Sequence, residues 1–453
     1  MSVPFLATSL RELTARITPR HILFAGWLLL FVYAFPGYMS TDSVVQLHQA
    51  RTGVRTDWHP PLMALLWGYL DRIISGPVLM LVLQTTLFFV GVFKLLARAF
   101  TPRVAALVTC AVVLFPPVVT TMAVIWKDSQ MAAFFVAGTA AALSPHRRWR
   151  VVGWLLLGAA AAMRHNAPVA ILPLAIFIVW TSSSRSRLLR VAIGVLASLA
   201  VGIGAMAVNS ALTKKREYPW YGSLALLDVA GTTRYSAPRS DAEMQHLLRD
   251  TGLVVTEDIH RRTKLAYQPR TWWWLSHGDG RIWDYPTTKT QRLAIRRAWI
   301  DVVTDDPGAY WYHRRRVFNE VLGISKEEPW SPVWWFFAES PEQAVGVGHN
   351  HSHSSYQRLL GEFFTERRNG PLFRVYWYFW LGWVLLGVAI WRRQALAVAL
   401  LASGLAYELT YFFLAPSPDF RYSHWMIACV VGVGFAGTTR VATELARRRG
   451  STA

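Results

Sequence analysis

Ten mostly apolar runs, all but two of them joined by short polar turns, set the outer limits on how this chain folds. They lie near 21–38, 76–97, 104–124, 129–144, 151–163, 167–181, 191–211, 373–391, 395–414 and 425–439. A helix needs about 20 predominantly apolar residues to cross a bilayer. The pattern therefore predicts an all-α polytopic membrane protein of about ten transmembrane helices, with 129–144 and 151–163 short for a full crossing. Arg11, Arg16 and Arg20 precede the first run and no small-residue cleavage site follows it, so it is read as a retained span and not a cleaved leader.

Composition supports this reading and narrows the function. Of 453 residues, 53% are hydrophobic, 13% aromatic and only 16% charged, with a mean hydropathy of +0.26. That is too apolar for a string of soluble domains. The two cysteines, Cys110 and Cys429, fall inside apolar runs. They act there as small hydrophobes, which excludes a disulfide framework and a redox or zinc-finger role. No phosphate-binding P-loop or dinucleotide fingerprint is present, which disfavours direct use of ATP or a nucleotide sugar at a cytoplasmic site.

The net charge of +20 would point to a nucleic-acid partner in a soluble protein. Alternating the spans gives it another meaning. The loops on the N-terminal side carry eighteen Lys and Arg against Glu12 and Glu444, or +16. Segment 213–370 carries 22 basic and 19 acidic residues, and the remainder of the chain seven and six. Nearly all the excess is thus an orientation signal, with both termini cytoplasmic and 213–370 outside. Nucleic acid drops out as a partner. Three parts follow: an N-terminal membrane module (1–212) with a first external loop (39–75), an external segment (213–370), and C-terminal helices with a cytoplasmic tail (371–453).

Ionisable groups near membrane depth are costly, and on the external side they concentrate in four turns. The first loop holds Asp42, Gln46 and His48, then Asp57, Trp58, His59, Pro60 and Pro61. Residues 62–74 follow as an amphipathic interfacial helix, with Trp67 and Tyr69 suited to that depth. The other turns hold Lys127 and Asp128, Arg164 and His165, and Asp419, Arg421 and Tyr422. Singly, each reads as a solvated cap or a snorkelling cation. Together, carboxylates among cations at a water–lipid boundary suit a reaction in which a base removes a proton while a leaving phosphate is neutralised.

The sequence Met39 to Ser43 around Asp42, followed by Trp58, His59, Pro60, Pro61 and Leu62 before an interfacial helix, resembles the first external loop of GT-C membrane glycosyltransferases. Protein O-mannosyltransferases and the lipid A aminoarabinose transferase belong to that superfamily. The resemblance implies a GT-C-like fold in a bacterial inner (plasma) membrane and an active site on the external, periplasmic face. It also implies a sugar donor carried on polyprenyl phosphate, and a glycan, lipid or protein acceptor among membrane lipids. By it Asp42 is the first choice of general base, with Asp128 and Asp57 as second acids. Asp57 stands directly before Trp58, which leaves the order of Asp42 and Asp57 open. Arg421, Arg164, Lys127 and His165 are the candidates to hold the donor phosphate, and His59, Trp58, Tyr422 and Gln46 to bind substrate.

Segment 213–370 is expected to be a mostly helical domain or long lid. Its Trp272, Trp273 and Trp274 can stack on sugars or sit at headgroup level, as can Trp330. The interfacial reading is preferred for Trp334, Trp335, Phe336 and Phe337. His313, Arg314, Arg315 and Arg316 are read as meeting anionic lipid phosphates or as a solvated helix face. His349, His351 and His353 alternate without an evident fourth ligand, so an acceptor-binding loop is preferred to a divalent metal site, and no cofactor is expected. The competing readings are a lipid-linked glycan polymerase or ligase, and a transporter or flippase. Against the transporter, the spans carry Glu408 as their main acid and show no internal repeat.

Overall fold

The computed structural model describes residues 17–236, 252–256, 258–325, 331–337 and 352–450, with 243 and 248 between them. Among these the chain is all-helical, and its only β features are isolated bridges. The membrane module begins with α1 (Pro19–Ala34), then α2 (Thr41–Thr52), α3 (Leu62–Asp71) and α4 (Val78–Leu96). It continues through α5 (Pro102–Val113), α6 (Pro116–Met122), α7 (Lys127–Ala142), α8 (Arg147–Met163), α9 (Pro168–Ser182) and α10 (Arg187–Leu212). Proline opens α1, α5, α6 and α9, where its missing N–H costs nothing and its fixed φ already fits a helix.

The outer segment holds α11 (Leu226–Tyr235), α12 (Ile259–Ala266), α13 (Trp273–Ser276), α14 (Lys289–Asp305), α15 (Pro307–Val321) and α16 (Ser355–Glu366). The chain closes with α17 (Val375–Trp391), α18 (Ala395–Leu414) and α19 (His424–Gly450).

All ten apolar runs are helical, but they do not form ten helices of membrane length. Four helical stretches are long and apolar enough to cross a bilayer: α4, α10, α18 and the run Phe420–Ala446. The expected span 104–124 is a bent pair, α5 and α6, meeting at 75°. Pro116 and Pro117 remove two backbone donors there, and Pro116 disfavours helical backbone at Phe115, which is extended with ψ 131°. With that pair counted as one span the number is five. The helices α1, α9 and α17 are apolar but have 15–17 residues. A helix of that length covers about 22–26 Å, short of the roughly 30 Å hydrocarbon core.

Close crossings bind the module. A Cβ on Gly153 of α8 would sit 2.2 Å from the Ala142 backbone nitrogen of α7. One on Gly91 of α4 would sit 2.6 Å from the nitrogen of Ala137. Small residues here let α7 lie against both neighbours, which is how helices gain packing energy when lipid supplies no hydrophobic drive. The C-terminal helices close the bundle, α18 on α9 and α19 on α5 and α7. Outside, α11 packs on α14 and α15, and α16 lies on α1.

Two expectations for the first loop are corrected. Trp67 does not sit at the interface: it is fully buried, and its Nε1 donates to the Gly76 carbonyl at 3.0 Å, whereas Tyr69 is exposed. The helix at 62–74 ends at Asp71, whose carboxylate accepts from Arg51 and from the Gly76 amide.

Candidate functional site

Asp42 is the second residue of α2, and the start of that helix is pinned to the chain entering α7. Ser43 Oγ donates to the Ile125 carbonyl at 2.8 Å, and Trp126 Nε1 donates to Ser40 Oγ at 2.7 Å. The Ile125 amide donates to the Tyr38 carbonyl at 2.9 Å. These bonds hold Asp42 beside Lys127 and Asp128, more than eighty residues away. A third strand of chain comes from the C-terminal turn 415–423, where a 3₁₀ turn at Phe420–Ser423 aims Arg421 inward.

The resulting cluster centres on Asp42. Its Oδ2 accepts from Arg421 Nη2 at 2.6 Å, with Lys127 Nζ at 3.8 Å, and its Oδ1 lies 3.4 Å from His59 Nε2. Lys127 Nζ is 2.5 Å from His59 Nδ1. Burial takes Lys127 from 10.5 down to about 7; in its charged form the ammonium only donates, so Nδ1 then accepts and the ring proton sits on Nε2, facing Asp42. Arg421 is shared: its Nε reaches Asp419 Oδ2 at 2.7 Å, and its guanidinium lies 4.8 Å from the centre of the Trp126 ring.

A second layer lies beneath. Asp128 is wholly buried and paired through Oδ1 with Arg164, while its Oδ2 has no hydrogen-bond partner and stands 3.9 Å from Arg421 Nε. The Arg164 guanidinium sits 4.3 Å over the Tyr422 ring, which stacks on Tyr411 at 5.0 Å. Below this, Ser423 Oγ donates to Glu408 at 2.8 Å. Asp42 and Asp128 thus have different capacities. The Asp42 side chain keeps 27% of its accessible surface and can meet a ligand, whereas Asp128 keeps none.

Burial raises the Asp42 carboxyl, but Arg421, His59 and Lys127 outweigh it and hold the group well below the usual carboxylate value. Burial, reinforced by the Lys127 charge, takes His59 from 6.5 down to about 4, so the imidazole is neutral at pH 7. Asp419 moves the other way: burial, opposed by Arg421, lifts it from 3.8 to about 6.

The two opposite shifts have opposite linkage. Between pH 6.5 and about 4 the unfolded chain protonates His59 and the folded chain does not, so this group removes stability as pH falls, by at most about 3 kcal/mol. Between pH 3.8 and about 6 the folded chain holds the extra proton, on Asp419, so that group removes stability as pH rises. Thermal melts of the solubilised protein should therefore change in opposite directions. Relative to wild type, Asp419→Asn should lose stability more steeply on acidification from pH 6.5 to 4, and His59→Gln less steeply. Identical slopes in both variants would remove these assignments.

Of the residues singled out from sequence, Asp42, His59, Lys127, Asp128, Arg164, Arg421 and Tyr422 are brought together. Gln46, one turn after Asp42 on α2, is buried and its Oε1 has no partner. Asp57 does not join them as an acid. Its Oδ1 accepts from the Glu217 amide at 2.5 Å and the Tyr218 amide at 3.3 Å, anchoring the start of the outer segment. Trp58 packs on Trp272 and Tyr285, away from Asp42. His165 is exposed, with the Asp57 backbone within hydrogen-bond reach.

The outer segment is tied to the chain just before Asp42. The Met39 amide donates to the Phe336 carbonyl at 2.9 Å, and Trp334 Nε1 donates to the Met39 carbonyl at 3.1 Å. Of the four aromatics read as interfacial, Trp334 and Trp335 are half-buried, Phe336 is exposed and Phe337 is buried. His353 Nε2 donates to the Trp335 carbonyl at 2.7 Å, and its ring stacks on Phe337. His349, His351 and Trp330 lie outside the described residues. No group of three or more potential metal ligands occurs among the described residues.

A buried network was not foreseen. Asp228 Oδ1 accepts from His313 Nε2 at 3.0 Å and forms an ion pair with Arg314 Nη2 at 2.7 Å, and its Oδ2 accepts from Trp299 Nε1 at 2.8 Å. Tyr267 Oη is 2.7 Å from His313 Nδ1, and Arg314 Nη1 donates to the Ala415 carbonyl at 3.1 Å. His313 and Arg314 therefore meet no lipid phosphate; only Arg315 and Arg316 of that run are exposed. The chain matches no protein-family profile, and neither its sequence nor its fold matches a curated protein or a solved structure.

Proposed function

We propose that this chain is a membrane glycosyltransferase of the GT-C type, with ten helical segments embedded in a bacterial inner membrane and both termini cytoplasmic. It moves a sugar from a polyprenyl-phosphate carrier to an acceptor hydroxyl on the external face. The observation that supports this most is Asp42 itself, a reachable carboxylate collared by Arg421, Lys127 and a neutral His59.

The acceptor oxygen attacks the anomeric carbon while the bond from that carbon to the phosphate oxygen breaks, and the electron pair leaves with the phosphate. Asp42 takes the acceptor's proton. One direct displacement inverts the anomeric centre. The charge that develops on the departing phosphate is what preorganised cations stabilise best, and Arg421 and Lys127 are placed for it. Arg421 offers a planar fork to phosphate, and Lys127 a point charge.

The low basicity that Arg421, His59 and Lys127 give Asp42 is compatible with this scheme. A donor phosphate competes for Arg421 and Lys127, loosening their hold on Asp42 and raising its proton affinity only when substrate is present. His59, donating through Nε2, orients the carboxylate. Asp128 and Arg164 stay paired beneath and fix the cations from below.

The test uses purified protein with a labelled hexose or pentose on polyprenyl monophosphate, and a parallel donor on pyrophosphate. Acceptor-dependent release of polyprenyl monophosphate is the expected result. Release of polyprenyl pyrophosphate only would identify a glycan ligase or polymerase. An intact donor that crosses vesicle bilayers would establish a flippase and overturn the enzyme reading.

A further inference from the structure

We infer that the end of the bundle opposite the candidate site binds an anionic phospholipid. A cavity of about 480 Å³ opens there, within the roughly 300–1,000 Å³ of ligand sites. The helix α19 leads away from the site at His424, and the cleft follows it from Trp425 to Arg440. Fifteen residues of helix give it a length of about 22 Å, enough for an acyl chain of one leaflet. Its walls are apolar, with Phe88 and Val92 of α4, Leu400 of α18, and Trp425 and Gly432 of α19.

The mouth has the opposite character. Arg98, Arg392, Arg393 and Arg440 stand around it, and no carboxylate lines the cleft. Glu444 pairs with Arg440 at 3.2 Å, while Arg98, Arg392 and Arg393 have no carboxylate partner among the described residues. These four cations come from the α4–α5 turn, the α17–α18 turn and α19. Orientation in the membrane requires basic residues at this end but not their convergence on one opening; Arg147, Arg148, Arg150 and Arg187 lie away from it. A chain-length apolar trough under a cationic mouth is complementary to a diacyl lipid with a negative headgroup. This site is separate from sugar transfer and does not depend on it.

The experiment is lipid titration of the full chain in mild detergent, read by native mass spectrometry, with phosphatidylglycerol, phosphatidylcholine and glycerol phosphate as probes. Phosphatidylglycerol should bind at least about tenfold more tightly than phosphatidylcholine, and the double variant Arg392→Gln, Arg393→Gln should bind it about 30-fold more weakly. A Cβ on Gly432 meets nothing within 4 Å, so Gly432→Phe can fill the trough without disturbing the fold and should exclude both lipids. The pair Arg147→Gln, Arg150→Gln, at the same end but off the cleft, should leave binding unchanged. Equal affinity for the two lipids, an equal loss in that control pair, or displacement of phosphatidylglycerol by glycerol phosphate at comparable concentration would overturn the proposal.

Discussion

Replacing Asp42 with Asn is expected to slow sugar transfer by at least about 100-fold, the lower range for removing a general base. Asn keeps the shape and can still accept from His59 and Arg421, so elution and melting behaviour should change little. The informative second readout is donor binding. Asp42 and the donor phosphate compete for Arg421 Nη2, so removing the carboxylate charge should leave donor affinity unchanged or raise it. Loss of rate with retained or tighter donor binding is what a base predicts. Loss of both would make Asp42 a structural partner of Arg421, and full retained activity would remove it from the mechanism.

Much of that site was legible in the sequence because lipid makes charge conspicuous. Lys127, Asp128, Arg164 and Arg421 stand out beside apolar runs where nothing else is ionised, and grouping them needed only the alternation of spans. Asp57 stood out by the same rule and misled, since a carboxylate before a Trp-His-Pro run looks the same whether it faces substrate or accepts two backbone amides. The choice between them is made by Glu217 and Tyr218, whose proximity no local pattern encodes. The Asp228 network was hidden for a related reason. Its members are scattered from 228 to 314, and a His-Arg-Arg-Arg run reads as uniformly basic until helical geometry turns His313 and Arg314 inward and the next two outward. Span counting ran ahead of helix length: apolar runs such as 21–38, 167–181 and 373–391 fold into helices of only 15–17 residues, and the run 104–124 bends at Pro116.

Asp128→Asn is the second large expected effect, and it acts on stability. The variant leaves the Arg164 guanidinium beside Tyr422 without the one carboxylate paired with it among the described residues, a loss of about 3–5 kcal/mol. A marked fall in melting temperature should follow. The double variant Asp128→Leu, Arg164→Met removes both charges, and most of the stability should return because buried apolar replacements of an ion pair are close to neutral. Transfer activity should stay absent in that double variant, because Arg421 then loses the acid beneath it. An unchanged melting temperature in the single variant would mean that water reaches the pair.

The contact of Arg314 with Ala415 constrains how the protein moves. Arg314 joins Asp228 of the outer segment to Ala415, at the start of the turn that carries Asp419 and Arg421. Asp228, Trp299, His313 and Arg314 all belong to the outer segment, so a swing of that segment as a block would keep their ion pairs and break the Arg314 bond to the Ala415 carbonyl. On the proposed function, a ligand that shifts the outer segment would pull through Arg314 and Ala415 on the turn that carries Arg421, so the two ends of the reaction would be coupled by one hydrogen bond.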